Sequence, residues 1–167
     1  KNGVAFIQSI PYKGKIYCHE MGYRLSGGMI YKITQPLMNI NDMEMMLRYA
    51  LGEPLISDIE IERIKRVKYD QSIAQLMIPL NCGTIKSING LEEIMKMEGV
   101  DDLLQYYHVG DTIEQKHIGT LNQHFGRFTL HADSLEGIIK IVEEIQKILV
   151  IESTEGKSMY TMLFDTH

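Results

Sequence analysis

The chain has no tryptophan, only two cysteines and four prolines in 167 residues, and no apolar run approaching a membrane span. A bilayer-crossing helix needs roughly 20 apolar residues, so no membrane partner is expected. No charged-then-apolar leader opens the chain. Cys18 and Cys82 lie far apart, without metal-site spacing, and read as free buried thiols in a reducing cytosol. Positive charge is also short: 17 Lys and Arg against 22 Asp and Glu leave a net charge of −5. That sign is wrong for a surface that tracks phosphate backbones, so no nucleic-acid partner is expected. The one basic cluster, Arg63, Lys65, Arg66 and Lys68, reads as a solvated helix face. The histidines lack the short spacings of zinc sites. There is no nucleophile elbow, phosphate loop or dinucleotide fingerprint.

What is present is ordinary globular composition, 44% hydrophobic and 23% charged, enough for one good core or two small ones. Eleven methionines suggest a pliable core. The chain starts Lys1–Asn2–Gly3–Val4 and runs straight into a strand pattern, as the later part of a longer protein would.

Val4 to Ile10 alternates as a strand, and Lys15 to Met21 reads as its return. Met29 to Leu37 suggests a short helix interrupted at Pro36. Asn41, with Glu44 reaching back, caps a helix whose Met43, Met46, Leu47, Ala50 and Leu51 form an apolar stripe expected in the core; Gly52 and Pro54 stop it. Ser57 to Glu60 opens a second capped helix ending near Lys68. Strands follow at Ser72 to Pro79 and Gly83 to Ile88, then a short helix from Asn89 that Gly99 stops. Further strands are expected at Leu103 to His108, Ile118 to Leu121 and Arg127 to His131. Asp133 and Glu136 cap the longest helix, with Leu135, Ile138, Ile139, Val142, Ile145, Ile148 and Leu149 inward. Residues 147–152 overlap its end as a strand, and Met159 to Phe164 reads as the last one.

The densest polar stretch is His19–Glu20–Met21–Gly22–Tyr23–Arg24–Leu25–Ser26–Gly27–Gly28. A glutamate offers hard oxygen to Mg²⁺. An arginine four residues on offers a permanent planar cation for a phosphoryl group. Glycine amides can approach an oxyanion closely. Lys32 follows and could reach an anionic substrate, although a plain surface lysine is as good a reading. Whether Gln8 joins Glu20 depends on the hairpin loop. A three-residue loop, Tyr12–Lys13–Gly14 with Gly14 left-handed, pairs Pro11 with Lys15, Gln8 with Cys18 and Glu20 with Phe6, leaving Gln8 and Glu20 as diagonal neighbours on one face. A two-residue Lys13–Gly14 turn puts them on opposite faces. The three-residue loop is the expectation.

These residues resemble the ATP-grasp superfamily, whose closing strands carry Glu-x-Asn-x-Arg, here Glu20–Met21–Gly22–Tyr23–Arg24. Glycine replaces the asparagine. Gln8 falls where the family places its other metal ligand, a position that is glutamine in carbamoyl-phosphate synthetase. Met43 to Pro54 is similar to the helix after the motif in biotin carboxylase and its relatives. Gly83 to Ile94 is similar to the C-terminal sheet domain of the amino-acid-ligase-like branch.

The strand and helix patterns read as an α+β chain in two parts, and the resemblance implies the same. Residues 1–68 would be the C-terminal end of an ATP-grasp catalytic domain, an antiparallel hairpin plus helices. Residues 69–167 would be a small, mostly antiparallel sheet domain with two helices. It implies an ATP- and Mg²⁺-dependent carboxylate ligase acting through an acyl phosphate. Gln8 and Glu20 would be metal ligands and Arg24 the phosphate-facing catalytic residue. Ser26, Gly27 and Gly28 would orient a small carboxylate substrate. The nucleotide grips belong to the preceding half of such enzymes, so that half is the expected partner and the fragment alone should be inactive. The rival reading is a non-catalytic dimerisation or regulatory module, in which Gln8, Glu20 and Arg24 are surface residues; a homodimer is open under either. A metal-dependent hydrolase is weaker, because no three ligands converge.

Overall fold

Alternation and turn chemistry build the first element of the computed structural model, an antiparallel hairpin of β1 (Phe6–Tyr12) and β2 (Lys15–Gly22). The structure describes residues 3–65, 70–161 and 164. It divides into two compact units, Lys1–Tyr69 and Asp70–His167.

In the first unit the hairpin leads to α1 (Tyr31–Met38), α2 (Asp42–Ala50) and α3 (Asp58–Ile64). Pro36 does not interrupt α1. It forgoes one intrahelical hydrogen bond and sits on an exposed face. Asn39, left-handed at φ 53°, closes the helix. Asn41 caps α2 through Glu44 N–H, but the Glu44 carboxylate reaches forward to Arg48 at 2.5 Å instead of back. Gly52 is left-handed, at φ 83°. α3 opens on a reciprocal box: Ser57 Oγ accepts from Glu60 N–H, and Glu60 Oε2 accepts from Ser57 N–H and its hydroxyl. Arg48 donates to Glu60 Oε1 at 3.0 Å and so ties α2 to α3. The expected end of this helix at Lys68 lies outside the described residues, as do the boundary between residues 68 and 69 and the Arg66 and Lys68 part of the basic cluster.

The methionine stripe is not core. Met43, Leu47 and Leu51 are exposed, and Ile40 is the unit's buried hydrophobic residue among those described. The amphipathic pattern is real, but of the stripe only Met46 is half-buried. The cysteines are likewise free but exposed: Cys18 lies on the uncovered hairpin and Cys82 follows the end of a strand.

The second unit holds two antiparallel sheets. One is ordered β3 (Ser72–Pro79), β7 (His124–Ala132), β5 (Val100–Gln105). The other is ordered β6 (Thr112–Ile113), β4 (Gly83–Asn89), β8 (Val150–Ser153). α4 (Leu91–Ile94) and α5 (Leu135–Ile148) complete it. Leu80, Ile85, Ile94, Phe125, Phe128, Ile145 and Met159 are among its fully buried residues. The α5 cap is Ser134, whose hydroxyl accepts from Gly137 N–H; Asp133, the expected cap, stands one position too early. Ile138 and Ile145 carry the buried face of α5, while Leu135 at its first turn is exposed. Ile118 to Leu121 is not a strand. Short 3-10 turns at Gln115–His117 and Leu121–Gln123 flank it, held by Thr120 and Gln123 side chains. Near the chain end, Ser158 and Tyr160 make isolated bridges where a full strand was expected, and Met162 and Leu163 lie outside the described residues. No described helix is long and apolar enough to cross a membrane.

Candidate active site

The hairpin turn has two residues, not three. Tyr12 pairs with Lys15, and Lys13 (φ 49°) and Gly14 (φ 72°) both take the positive φ of a type I′ turn. On a regular ladder this would put Gln8 and Glu20 on opposite faces. The ladder is not regular: Ser9 pairs with Cys18, and the next pair is Gln8 with Glu20. His19 is the extra residue of a β-bulge, and the one-residue slip restores what the turn takes away. Gln8 and Glu20 are therefore directly opposite and share a face, at a Cβ separation of about 5 Å for such pairs.

Phe6 pairs with Gly22 one step further along the same face. The Phe6 ring lies over Gly22, where a Cβ would stand 2.6 Å from ring carbon Cε1. The guanidinium carbon of Arg24 lies 4.6 Å from the centre of that ring. Its Nη2 is 3.9 Å from Glu20 Oε1, and its Nη1 donates to the Leu25 carbonyl at 2.9 Å. Both charged side chains are about half exposed, 61% for Arg24 and 49% for Glu20. Such a pair adds at most about 1 kcal/mol to stability; its interest is position.

The Ser26–Gly27–Gly28 segment is a turn, but its glycines are not the left-handed residues; Met29, at φ 53°, is. The space beside Gly27 is open. Gly28 N–H donates to Ser26 Oγ at 3.3 Å, so this amide is turned inward upon the segment. Lys32 lies in the first turn of α1.

Gln8 and Glu20 supply one neutral and one anionic hard oxygen group. That donor set fits Mg²⁺, which keeps much of its shell for water and phosphate oxygens. It does not fit a metal held by protein alone, and among the described residues no three His, Cys, Asp or Glu gather to hold one. His19 is exposed in the bulge, and His131 pairs with Asp101 at 2.8 Å in the other unit. The sequence reading missed the bulge and the Phe6 ring. An aromatic two residues before Gln8 and a glycine two residues after Glu20 were the available signal.

No family model matches the sequence, and no curated protein matches it. Solved structures do. The L-amino acid ligase of Bacillus licheniformis superposes with a TM-score of 0.74 at 24% identity, over 91% of this chain and 38% of the ligase chain. Phosphoribosylglycinamide synthetase of Anaerococcus prevotii gives 0.70 at 14% identity, over 90% of this chain and 37% of that one. N5-carboxyaminoimidazole ribonucleotide synthetase of Thermotoga maritima gives 0.56 at 21% identity, over 90% and 37%. All three are ATP-grasp enzymes, and the chain has the fold of a segment of them. It spans well under half the length of each.

Proposed function

We propose that this chain is the C-terminal portion of an ATP- and Mg²⁺-dependent carboxylate ligase, with residues 1–68 ending the catalytic domain and 69–167 forming the C-terminal domain. The observation that carries this reading is the single face bearing Gln8, Glu20 and Arg24. A bound Mg²⁺ would supply charge neutralisation at the ATP phosphates. Gln8 and Glu20 would hold it. Arg24 would face the transferring phosphoryl group, stabilising by position and charge what develops there. Ser26, Gly27 and Gly28 would border the carboxylate, with the open side of Gly27 the closest approach. The mechanism needs no proton transfer from these groups.

The rival, in its self-contained regulatory form, calls for a polar surface on the hairpin. Instead Ile7, Ile16 and Met21 are exposed there, as is Leu51 on the helix after it. That disfavours a self-contained regulatory module and supports a covering partner, either more of the same protein or a second copy. A soluble, reducing cytoplasmic setting suits the two free thiols.

In the full-length protein, Arg24→Ala should lower ADP formation from MgATP plus a mixture of amino acids on the order of 10²-fold, with the melting temperature unchanged. Calorimetry should find MgATP binding to the full-length protein and none of comparable strength to this chain alone. Unchanged turnover in Arg24→Ala would sink the assignment.

A further inference from the structure

We infer that Phe6 is the positioning residue of the site, and that Gly22 is glycine to admit it. The inference rests on the ligase reading for its catalytic consequence, and on geometry alone for its structural part.

Arg24 follows the last residue of β2 by two positions, so the ladder does not hold its side chain. Two contacts hold it besides Glu20: the Leu25 carbonyl at one end of the guanidinium and the Phe6 ring, over which the guanidinium carbon lies. The carbonyl belongs to the neighbouring residue of the same loop and moves with it. The ring is anchored differently. Phe6 is part of β1, only partly buried, and paired across the ladder with Gly22. It is therefore the one of these contacts that refers Arg24 to the strand bearing Gln8. A cation over an aromatic face is attracted by the ring quadrupole and loses little of its hydration there.

The ring takes this place because position 22 has no side chain. With Cβ contacts of 2.6 Å to Cε1 and 3.0 Å to Cζ, any other residue at 22 would require the ring to move from this place. Gly22 is not among the glycines with positive φ, so backbone freedom is not its reason. The glycine and the phenylalanine form one device. The ring fills the space a side chain at 22 would occupy and uses its outer face to seat the arginine.

The test reads the arginine directly. In the full-length protein, the Arg24 side-chain Nε–Hε resonance, assigned by its loss in Arg24→Lys, should be shifted upfield by the ring. Phe6→Leu keeps an apolar strand residue but has no ring, and should return the resonance to the free-arginine position. Phe6→Tyr should retain the shift. Gly22→Ala should abolish it with Phe6 intact. Turnover should follow: kcat for ADP formation falls about 10- to 100-fold in Phe6→Leu, with KM for MgATP nearly unchanged, and recovers in Phe6→Tyr. An Arg24 resonance indifferent to Phe6→Leu and Gly22→Ala overturns the inference. If Arg24→Ala leaves turnover intact while the resonance responds as described, the ligase reading falls and the positioning contact stands.

Discussion

At the scale of single residues, legibility depended on whether a side chain acts alone or through a partner. Glu20 and Arg24 could be chosen from sequence because their chemistry is intrinsic: hard anionic oxygen, permanent planar cation. Gly22 could not be explained, because its reason lies across the ladder in Phe6. Lys13 misled in the same way. Positive φ at a lysine is uncommon, so nothing in the residue announces the type I′ turn that forms. Glu60 was legible as a cap, and the structure adds its electrostatics. The Ser57 N–H and hydroxyl, then Arg48, hold its carboxyl at about 2, below the ordinary 4.5. A depressed carboxylate stabilises the fold fully above 4.5, and that contribution is lost as pH falls from there through about 2. Ser57→Ala removes the hydroxyl but keeps the backbone N–H and Arg48, so the Glu60 carboxyl carbon should titrate higher than in the parent protein by NMR while staying below the ordinary value, and the mutant should lose less stability on acidification over this window. A Glu60 titration unmoved by the substitution would place the cause elsewhere.

At the scale of elements, the alternation of β1 and β2 was plain, while their register depended on two features that cancel. Four residues, Ser9 to Tyr12, separate Gln8 from the turn, and five, Lys15 to His19, separate Glu20 from it. An unequal pair of arms cannot present Gln8 and Glu20 together without a bulge, and bulges leave no composition signal as clear as a turn's. The arms become equal if one residue of the longer arm is removed. Deleting His19 should therefore leave Glu20 opposite Gln8, and a nuclear Overhauser contact between the two should persist in the deletion variant. Met21 taking the place opposite Gln8, with Glu20 now the bulged residue, would mean that the bulge does more than absorb length. The α5 cap shows a smaller version of the same limit: Asp133 and Ser134 are both good cap residues, and only the chain's entry angle selects the second.

At the scale of the whole molecule, the hydrophobic periods gave an α+β chain with antiparallel sheets, and this is what forms. They could not say which apolar stripes would find cover. The inner face of α5 does: Ile138 and Ile145 join Phe128, Leu130 and Ile151 in a continuous core. The stripe of α2 has the same spacing, yet Met43, Leu47 and Leu51 stay exposed. Periodicity reports that a helix has an apolar side, while burial needs a partner surface that local sequence does not encode. The two units should accordingly differ as separate polypeptides. Residues 70–167 should melt in one cooperative transition by circular dichroism. Residues 1–69, with Ile40 the buried hydrophobic residue among those described, should show no sharp transition and should bind hydrophobic dye. A cooperative melt of the first piece would mean that its exposed apolar side chains need no cover.

The proline in β1 has a bearing on how such an exposed hairpin stays single. In a two-residue turn the closing pair Tyr12 and Lys15 exchange hydrogen bonds, so at Pro11 and Ile16 the backbone donors point away from the hairpin. Pro11 thus gives up nothing inside the ladder and removes a donor from the outer edge. On the other edge the bulge at His19 breaks the even spacing that another strand would have to match. Two open edges with apolar side chains would otherwise be a template for self-association. With each edge interrupted once, at opposite strands, the hairpin is kept from growing along its own backbone.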